Sequence, residues 1–348
     1  MGGLTRSPFG AVFRTEVLLN SKRVVPYLML ALFAVNAWLW WARGAAVSHV
    51  RVSDIPKVRP AEEGFGTYLS QLFAAVRVEF RLLRAERGLV VLAPLVVIFS
   101  TLELLFRVAP QGSYSGAYAT STAKTSLLFL IALVVFYTGE ALHRDREVRI
   151  EPVLWSVPVP NFVILLSKFC ATLLMSASLV ALVGLAALFI QIFKGDTPVE
   201  VSAYLSVYGW ILFPSVALAA ALSVALNVLL RDKYATYAVS FATVGGLFYL
   251  YTRGHNHWLY NPVLYGLWTY ADLAGTSGAR PPILTHRVYC LALTCLSLGL
   301  AHLRFPRRIE RGLEGEGPLG SNGWSILLTS FALVVAVVAG VLLLMSEG

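Results

Sequence analysis

The residues best equipped for chemistry lie between Gly139 and Asn161, in the run Gly-Glu-Ala-Leu-His-Arg-Asp-Arg-Glu-Val-Arg-Ile-Glu-Pro-Val-Leu-Trp-Ser-Val-Pro-Val-Pro-Asn. Their chemistry is charge recognition rather than bond making. Acids and bases alternate there, with Glu140, His143, Arg144, Arg146 and Arg149 in the first half. Glu140 precedes Arg144 by four residues and Asp145 precedes Arg149 by four, the spacing at which an acid and a base face each other along a helix. Ile150 follows, and Pro152 pushes Glu151 out of helical geometry, so the helix breaks and a short second one can begin. Pro158 and Pro160 stop that one, and Asn161 is suited to cap the next helix. The product is a bent, charged elbow between two uncharged runs, Thr125–Gly139 and Phe169–Phe193. Two readings stay open on spacing alone. The elbow docks on another protein, or it is a solvated loop that satisfies the positive-inside rule.

Other candidate chemistry is thin. The sequence has no His-Glu-x-x-His, no Walker A and no Gly-x-Ser-x-Gly motif. His255 and His257 flank Asn256 but have no third ligand nearby in sequence, so an ordinary loop is expected there rather than a metal site. Trp258, Tyr260, Tyr265, Trp268 and Tyr270 follow them and read as an aromatic belt at a membrane interface. Cys170, Cys290 and Cys295 sit in apolar runs without metal or redox spacing and read as small core residues. Glu103 and Glu140 lie near the ends of apolar runs. The first is expected to snorkel and the second to pair with Arg144, while Lys168 can reach the inner interface. Asn227 and Gln191 read as polar glue between helices.

These residues must be held by membrane-spanning helices. The chain has 348 residues, 57% hydrophobic and only 14% charged, against about 45–50% and about 25% in soluble domains. Stretches long enough to span a bilayer, about 20 residues, fall at 24–42, 88–106, 124–142, 169–193, 206–230, 234–252, 286–304 and 324–345. Val24–Ala42 is longer than a signal-peptide core and is expected to be retained. The net charge of +9 resides beside these runs, where it sets topology and meets anionic lipid; nucleic acid is not an expected partner.

Placing the elbow inside collects Arg77 to Arg87, Arg144 to Arg149, Arg231, Lys233 and Arg304 to Arg311 on that side, about twice the bases left outside. The elbow is then cytoplasmic and Gly348 extracytoplasmic. One parity conflict results. Lys22 and Arg23 also place the start of the first span inside, yet 43–87 holds no further span. A weak repeat bears on this: Arg14-Thr15-Glu16-Val17-Leu18-Leu19 and Arg77-Val78-Glu79-Phe80-Arg81-Leu82 both precede membrane helices. Phe73, Val76, Phe80 and Leu83 recur at helical spacing and predict an amphipathic interfacial helix.

The order Gly139-Glu140-x-x-His143-Arg144-x-Arg146-x-x-Arg149-Ile150, then Pro158-Val159-Pro160-Asn161 and Ser167-Lys168-Phe169, resembles the cytoplasmic segment of ABC-2-type transporter permeases. The likeness continues through Arg231-Asp232-Lys233-Tyr234 and Tyr260-Asn261-Pro262 and covers roughly residues 76–311. It looks strongest to permeases fused to, or associated with, M1-type aminopeptidase domains, although the peptidase and its zinc motif are absent from this sequence.

The resemblance implies an all-α polytopic bundle: a six-helix ABC-2-like transmembrane domain with one peripheral N-terminal and one C-terminal helix. Residues 1–48 would be a partial first permease half, 49–87 a linker and the interfacial helix, 88–311 the transmembrane domain, and 312–348 a linker and the final span. It implies a non-enzymatic permease subunit of an ATP-driven exporter in the cytoplasmic (inner) membrane, working by alternating access as a homodimer or heterodimer with another permease. The chain would carry no cofactor of its own. ATP and Mg would sit on separate ABC ATPase subunits that seat on the elbow, with Arg231, Asp232 and Lys233 as a second cytoplasmic contact. A membrane scaffold for an extracytoplasmic enzyme such as a peptidase, and an ion-coupled carrier, are the competing readings.

Overall fold

The computed structural model describes residues 65–106, 114–147, 159–264, 270–273, 280–305 and 321–347. The first span at 24–42, the linker before the interfacial helix, and residues 148–158 of the elbow lie outside this set. Every described element is helical: α1 (Phe65–Ala85), α2 (Arg87–Phe106), α3 (Tyr114–Glu147), α4 (Asn161–Lys194), α5 (Val201–Leu230), α6 (Lys233–Thr252), α7 (Tyr270–Leu273), α8 (Arg280–Arg304) and α9 (Ser321–Glu347).

Five of these, α3, α4, α5, α8 and α9, are long and apolar enough to cross a membrane over most of their length, and α2 carries the shorter apolar run Val91–Leu105. All-helical architecture follows from the solvent. In hydrocarbon each backbone N–H and C=O must find its partner within the segment. α6 is as long as α2 but less apolar, and falls short of the five.

α3 and α5 form the centre. The most apolar window of α5 is 83% buried, against 28% for α9. Ala217, Ala219, Ala220, Ala221 and Ala225 line α5 and are buried. Small side chains let helix backbones approach closely where no hydrophobic effect drives them together. α2, α4 and α6 surround α3, α8 packs along α5, and α9 packs along α8. Exposed Leu185, Phe189, Ile192, Leu328, Phe331 and Val334 on α4 and α9 face outward, as side chains toward acyl chains should.

Local chemistry sets the boundaries. Gly195 closes α4 in the left-handed region at φ 75°, with its N–H on the carbonyls of Gln191 and Ile192; glycine adopts this geometry without a Cβ penalty. Inside α5 the ladder widens to a π-helical turn over Val207–Leu212, next to Pro214. Proline brings no N–H to the ladder, which is a ready cause for such a slip. Arg231 turns the chain from α5 into α6 at φ 57°, and the Asp232 carboxylate caps α6 by accepting from the Ala235 N–H at 2.6 Å.

α1 is amphipathic, as expected. Phe80 and Leu83 turn toward the bundle and Val76 is half-buried, whereas Phe73, a heptad before Phe80, is exposed with Leu69, Val78, Arg77 and Arg81. On the same helix Glu79 reaches the cations Arg144 on α3 and Lys168 on α4.

Candidate functional site: the roots of the charged elbow

The last two turns of α3 reach four neighbouring helices through four sets of side chains. Helical geometry turns successive residues by about 100°, so Glu140, Ala141, His143, Arg144 and Asp145 leave the helix in different directions.

Toward α1, the Arg144 guanidinium donates to Glu79 Oε2 at 2.5 Å. Toward α4, Asp145 Oδ2 lies 2.8 Å from Lys168 Nζ. Lys168 is 3% exposed. Its ammonium also donates to Glu79 Oε1 at 2.7 Å and to the Ala141 carbonyl at 2.7 Å. Two of the ammonium protons go to Glu79 and the Ala141 carbonyl, and the Asp145 carboxylate adds an ion pair, which together make a buried lysine tolerable. Glu79, Asp145, Arg144 and Lys168 together carry two negative and two positive charges, so the cluster is neutral.

Toward α5, His143 Nε2 lies 3.1 Å from Asn227 Oδ1. The Asn227 amide nitrogen donates to the Ser223 carbonyl at 2.8 Å, which leaves its oxygen to accept from the imidazole. Toward α6, Lys233 Nζ sits 2.8 Å from Glu140 Oε1 and 3.0 Å from Glu147 Oε1. Burial weakens the Lys233 charge, but the bonds and attraction of Glu140 and Glu147 outweigh it and hold the ammonium above its ordinary value.

Gly139 explains how α6 comes so close. A Cβ at this position would overlap the Tyr237 ring. Tyr237 stacks on Phe136 with centroids 5.7 Å apart, and its single hydroxyl proton is shared between the Phe136 carbonyl at 3.1 Å and Glu140 Oε1 at 3.3 Å.

Several sequence expectations change here. Glu140 does not pair with Arg144, because each finds a partner on another helix. Lys168 does not snorkel; it is enclosed by two carboxylates and a carbonyl. Asn161 is the first residue of α4 rather than its cap, and Pro160 occupies the cap position in extended geometry. Arg231, Asp232 and Lys233 share the short turn between α5 and α6, and of these Lys233 reaches the end of α3. Arg149, Ile150, Pro152 and Pro158 lie outside the described residues, as does the side chain of Arg146.

The other candidates are not at this site. Glu103 accepts from Ser121 at 2.8 Å inside the bundle rather than snorkelling. Gln191 bonds Ser115 and Tyr204 across helices, the gluing role expected of it. His257 Nδ1 accepts from the Leu259 N–H at 3.1 Å, and among the described residues no three potential ligands converge as a metal site. Trp258 is not part of an interfacial belt. It is 2% exposed and packs edge-on to Tyr289 and against Gly340. Tyr270 likewise packs over Gly116.

Glu79 and Lys168 were the members of the site that sequence reasoning failed to place there. The signals existed, since Glu79 belongs to the weak repeat and Lys168 to the Ser-Lys-Phe segment, but nothing local said that they meet.

A family model described as ABC-2 family transporter protein matches residues 75–249. The match begins within α1, spans the whole elbow and ends within α6. It does not extend to an aminopeptidase association. No curated protein and no solved structure matches the chain.

Proposed function

The chain belongs to the ABC-2 family of transporter proteins, which makes it a multi-pass permease of an ABC transporter, and on that premise we propose that residues 140–161 are the element through which a separate ATPase subunit drives it. The observation that carries this reading is the convergence of α1, α4, α5 and α6 on the last two turns of α3. A solvated loop needs no such root. A lever does, because force applied to its tip must reach several helices at once.

The basic residues beyond the root, Arg146 and Arg149, supply the charge that an acidic ATPase surface would meet. Arg144 is assigned differently, since its guanidinium is committed to Glu79. ATP and Mg reside on the ATPase subunit, and this chain carries no cofactor. Two permease subunits, identical or different, flank a pathway. Closure of the ATPase pair moves the elbows and exposes the pathway alternately to each side of the cytoplasmic membrane, in the direction of export. The elbow faces the cytoplasm in this account, and the C-terminus lies outside.

Replacing Arg146 and Arg149 by Gln tests the proposal while leaving the root intact. Each exposed charge pair is worth up to ~1 kcal/mol. Losing two should weaken ATPase capture by about tenfold to thirtyfold, given that 1.4 kcal/mol is about tenfold. The variant should insert at wild-type levels. Capture of the ATPase at wild-type affinity by the inserted variant would remove the elbow's docking role.

A further inference from the structure

The ion cluster beneath the elbow does something that packing alone does not. Lys168 closes the second turn of α4, shortly after the elbow returns to the bundle, and Arg144 and Asp145 lie in the last turn of α3, just before it departs. Glu79 on α1 holds Arg144 at 2.5 Å and Lys168 at 2.7 Å, and Asp145 holds Lys168 at 2.8 Å. The two roots of the elbow are therefore tied to each other and both are tied to α1. The side chain of Lys168 is 4% exposed and that of Glu79 14%.

Buried ion pairs are poor sources of net stability, because desolvation offsets most of the attraction, but they fix register, since a slipped arrangement leaves a charge buried without its partner. Apolar contacts between α1 and α4 could slide past one another at little cost. The cluster allows one arrangement. α1 is amphipathic and packs mainly along α4, so its register against α4 is what such a pin fixes.

We infer that Glu79 and Lys168 are positioning residues for coupling, which pin α1 and both roots of the elbow into a single rigid unit so that displacement of the elbow moves α1 and the start of α4 together. This inference rests on the reading of residues 140–161 as the ATPase-driven element. It adds that seating on the ATPase and transmission from it are separable. Residues beyond the root govern the first, and the Glu79–Lys168 pin governs the second.

The experiment uses the full chain in proteoliposomes with the ATPase subunit that co-purifies with it. Lys168→Met keeps the length and apolar stem of the side chain and removes the charge. Lys168→Arg keeps the charge and its donors. The inference expects Lys168→Met to capture the ATPase as wild type does, while permease-dependent stimulation of ATP hydrolysis falls at least tenfold, and it expects Lys168→Arg to restore stimulation. Spin labels at Ala74 on α1 and at the exposed Leu174 on α4 should give one narrow distance in wild type and Lys168→Arg, and a broad distribution in Lys168→Met. If Lys168→Met fails to insert, Glu79→Gln serves instead, since it leaves Lys168 with Asp145 and the Ala141 carbonyl, and the same separation of capture from stimulation is expected. A narrow distance together with wild-type stimulation in the substituted chain overturns the inference. A purely structural role would also overturn it; it would lower the amount inserted and leave the hydrolysis per captured ATPase unchanged. Failure of wild type itself to capture any ATPase would instead remove the underlying reading of the elbow.

Discussion

Replacing Gly139 by Ala tests the packing that brings α6 against the elbow's root. In an unpacked helix the change is favourable, because glycine costs about 1 kcal/mol relative to alanine. Here the new Cβ would overlap the Tyr237 ring. Overfilling a packed site costs typically ~1–3 kcal/mol. The ring must also withdraw from its stack on Phe136, worth ~0.5–1.5 kcal/mol. Its hydroxyl must leave the Phe136 carbonyl and Glu140, which share its one proton, at ~0.5–1.5 kcal/mol. These terms overlap, so a net loss of about 2–4 kcal/mol is the reasonable sum. The assay is thermal unfolding of the purified chain in detergent. One kcal/mol moves Tm by roughly 2–4 °C in chains of 150–250 residues and by about 1.4 °C at this chain's length, so a fall of about 3–5 °C is expected. The sign is the decisive feature. In a Tyr237→Ala background the clash is gone, and Gly139→Ala should become neutral or stabilising, a non-additivity characteristic of side chains in contact. A wild-type or higher Tm for Gly139→Ala with Tyr237 in place would refute the packing argument.

Two further changes probe the same root. Lys233 gains carboxylate partners on folding and its folded-state pKa is raised, so its contribution to stability is complete below the unfolded value of about 10.4 and disappears as pH rises through the folded value. Lys233→Met should therefore melt below wild type at pH 8, with the gap closing as the pH rises through the raised folded-state value; a gap that persists unchanged at high pH would exclude the linkage. Asn227→Leu keeps the volume but removes the oxygen that faces His143 Nε2 at 3.1 Å. Loss of a partner by a buried polar group costs ~1–3 kcal/mol, so Tm should drop by a few degrees, and an unchanged Tm would show that the pair contributes nothing.

The spans were legible because hydrocarbon imposes length and apolarity on each segment separately. The seven predicted segments from 88–106 to 324–345 all coincide with helices. α6 marks where that signal thins, since Lys233–Thr252 is richer in Tyr, Thr and Gly than its neighbours. What sequence could not supply was partner choice. The four-residue spacing of Glu140 and Arg144 is a rule for an isolated helix, and it lost to Glu79 and Lys233, which arrive from helices distant in sequence. Lys168 was misread for the same reason. Snorkelling assumes that water is the nearest polar environment, whereas two carboxylates were nearer. Trp258 shows the converse case. Amphipathic aromatics favour an interface, but the cleft between α8 and α9 buries the ring completely enough to outweigh that preference. Glu79 was visible as half of a repeat, and the repeat carried no information on what the acid would touch.

The most direct test of the account is site-specific photo-crosslinking in native membranes. A photoreactive side chain placed at Trp155, in the elbow, should capture an ATP-binding subunit, and the same probe at Arg253, beyond the opposite end of α6, should capture none. The yield from position 155 should fall when Arg146 and Arg149 are Gln. Capture of the ATP-binding subunit from position 253, or no capture from 155 in a complex that hydrolyses ATP, would contradict both the orientation of the bundle and the role assigned to its elbow.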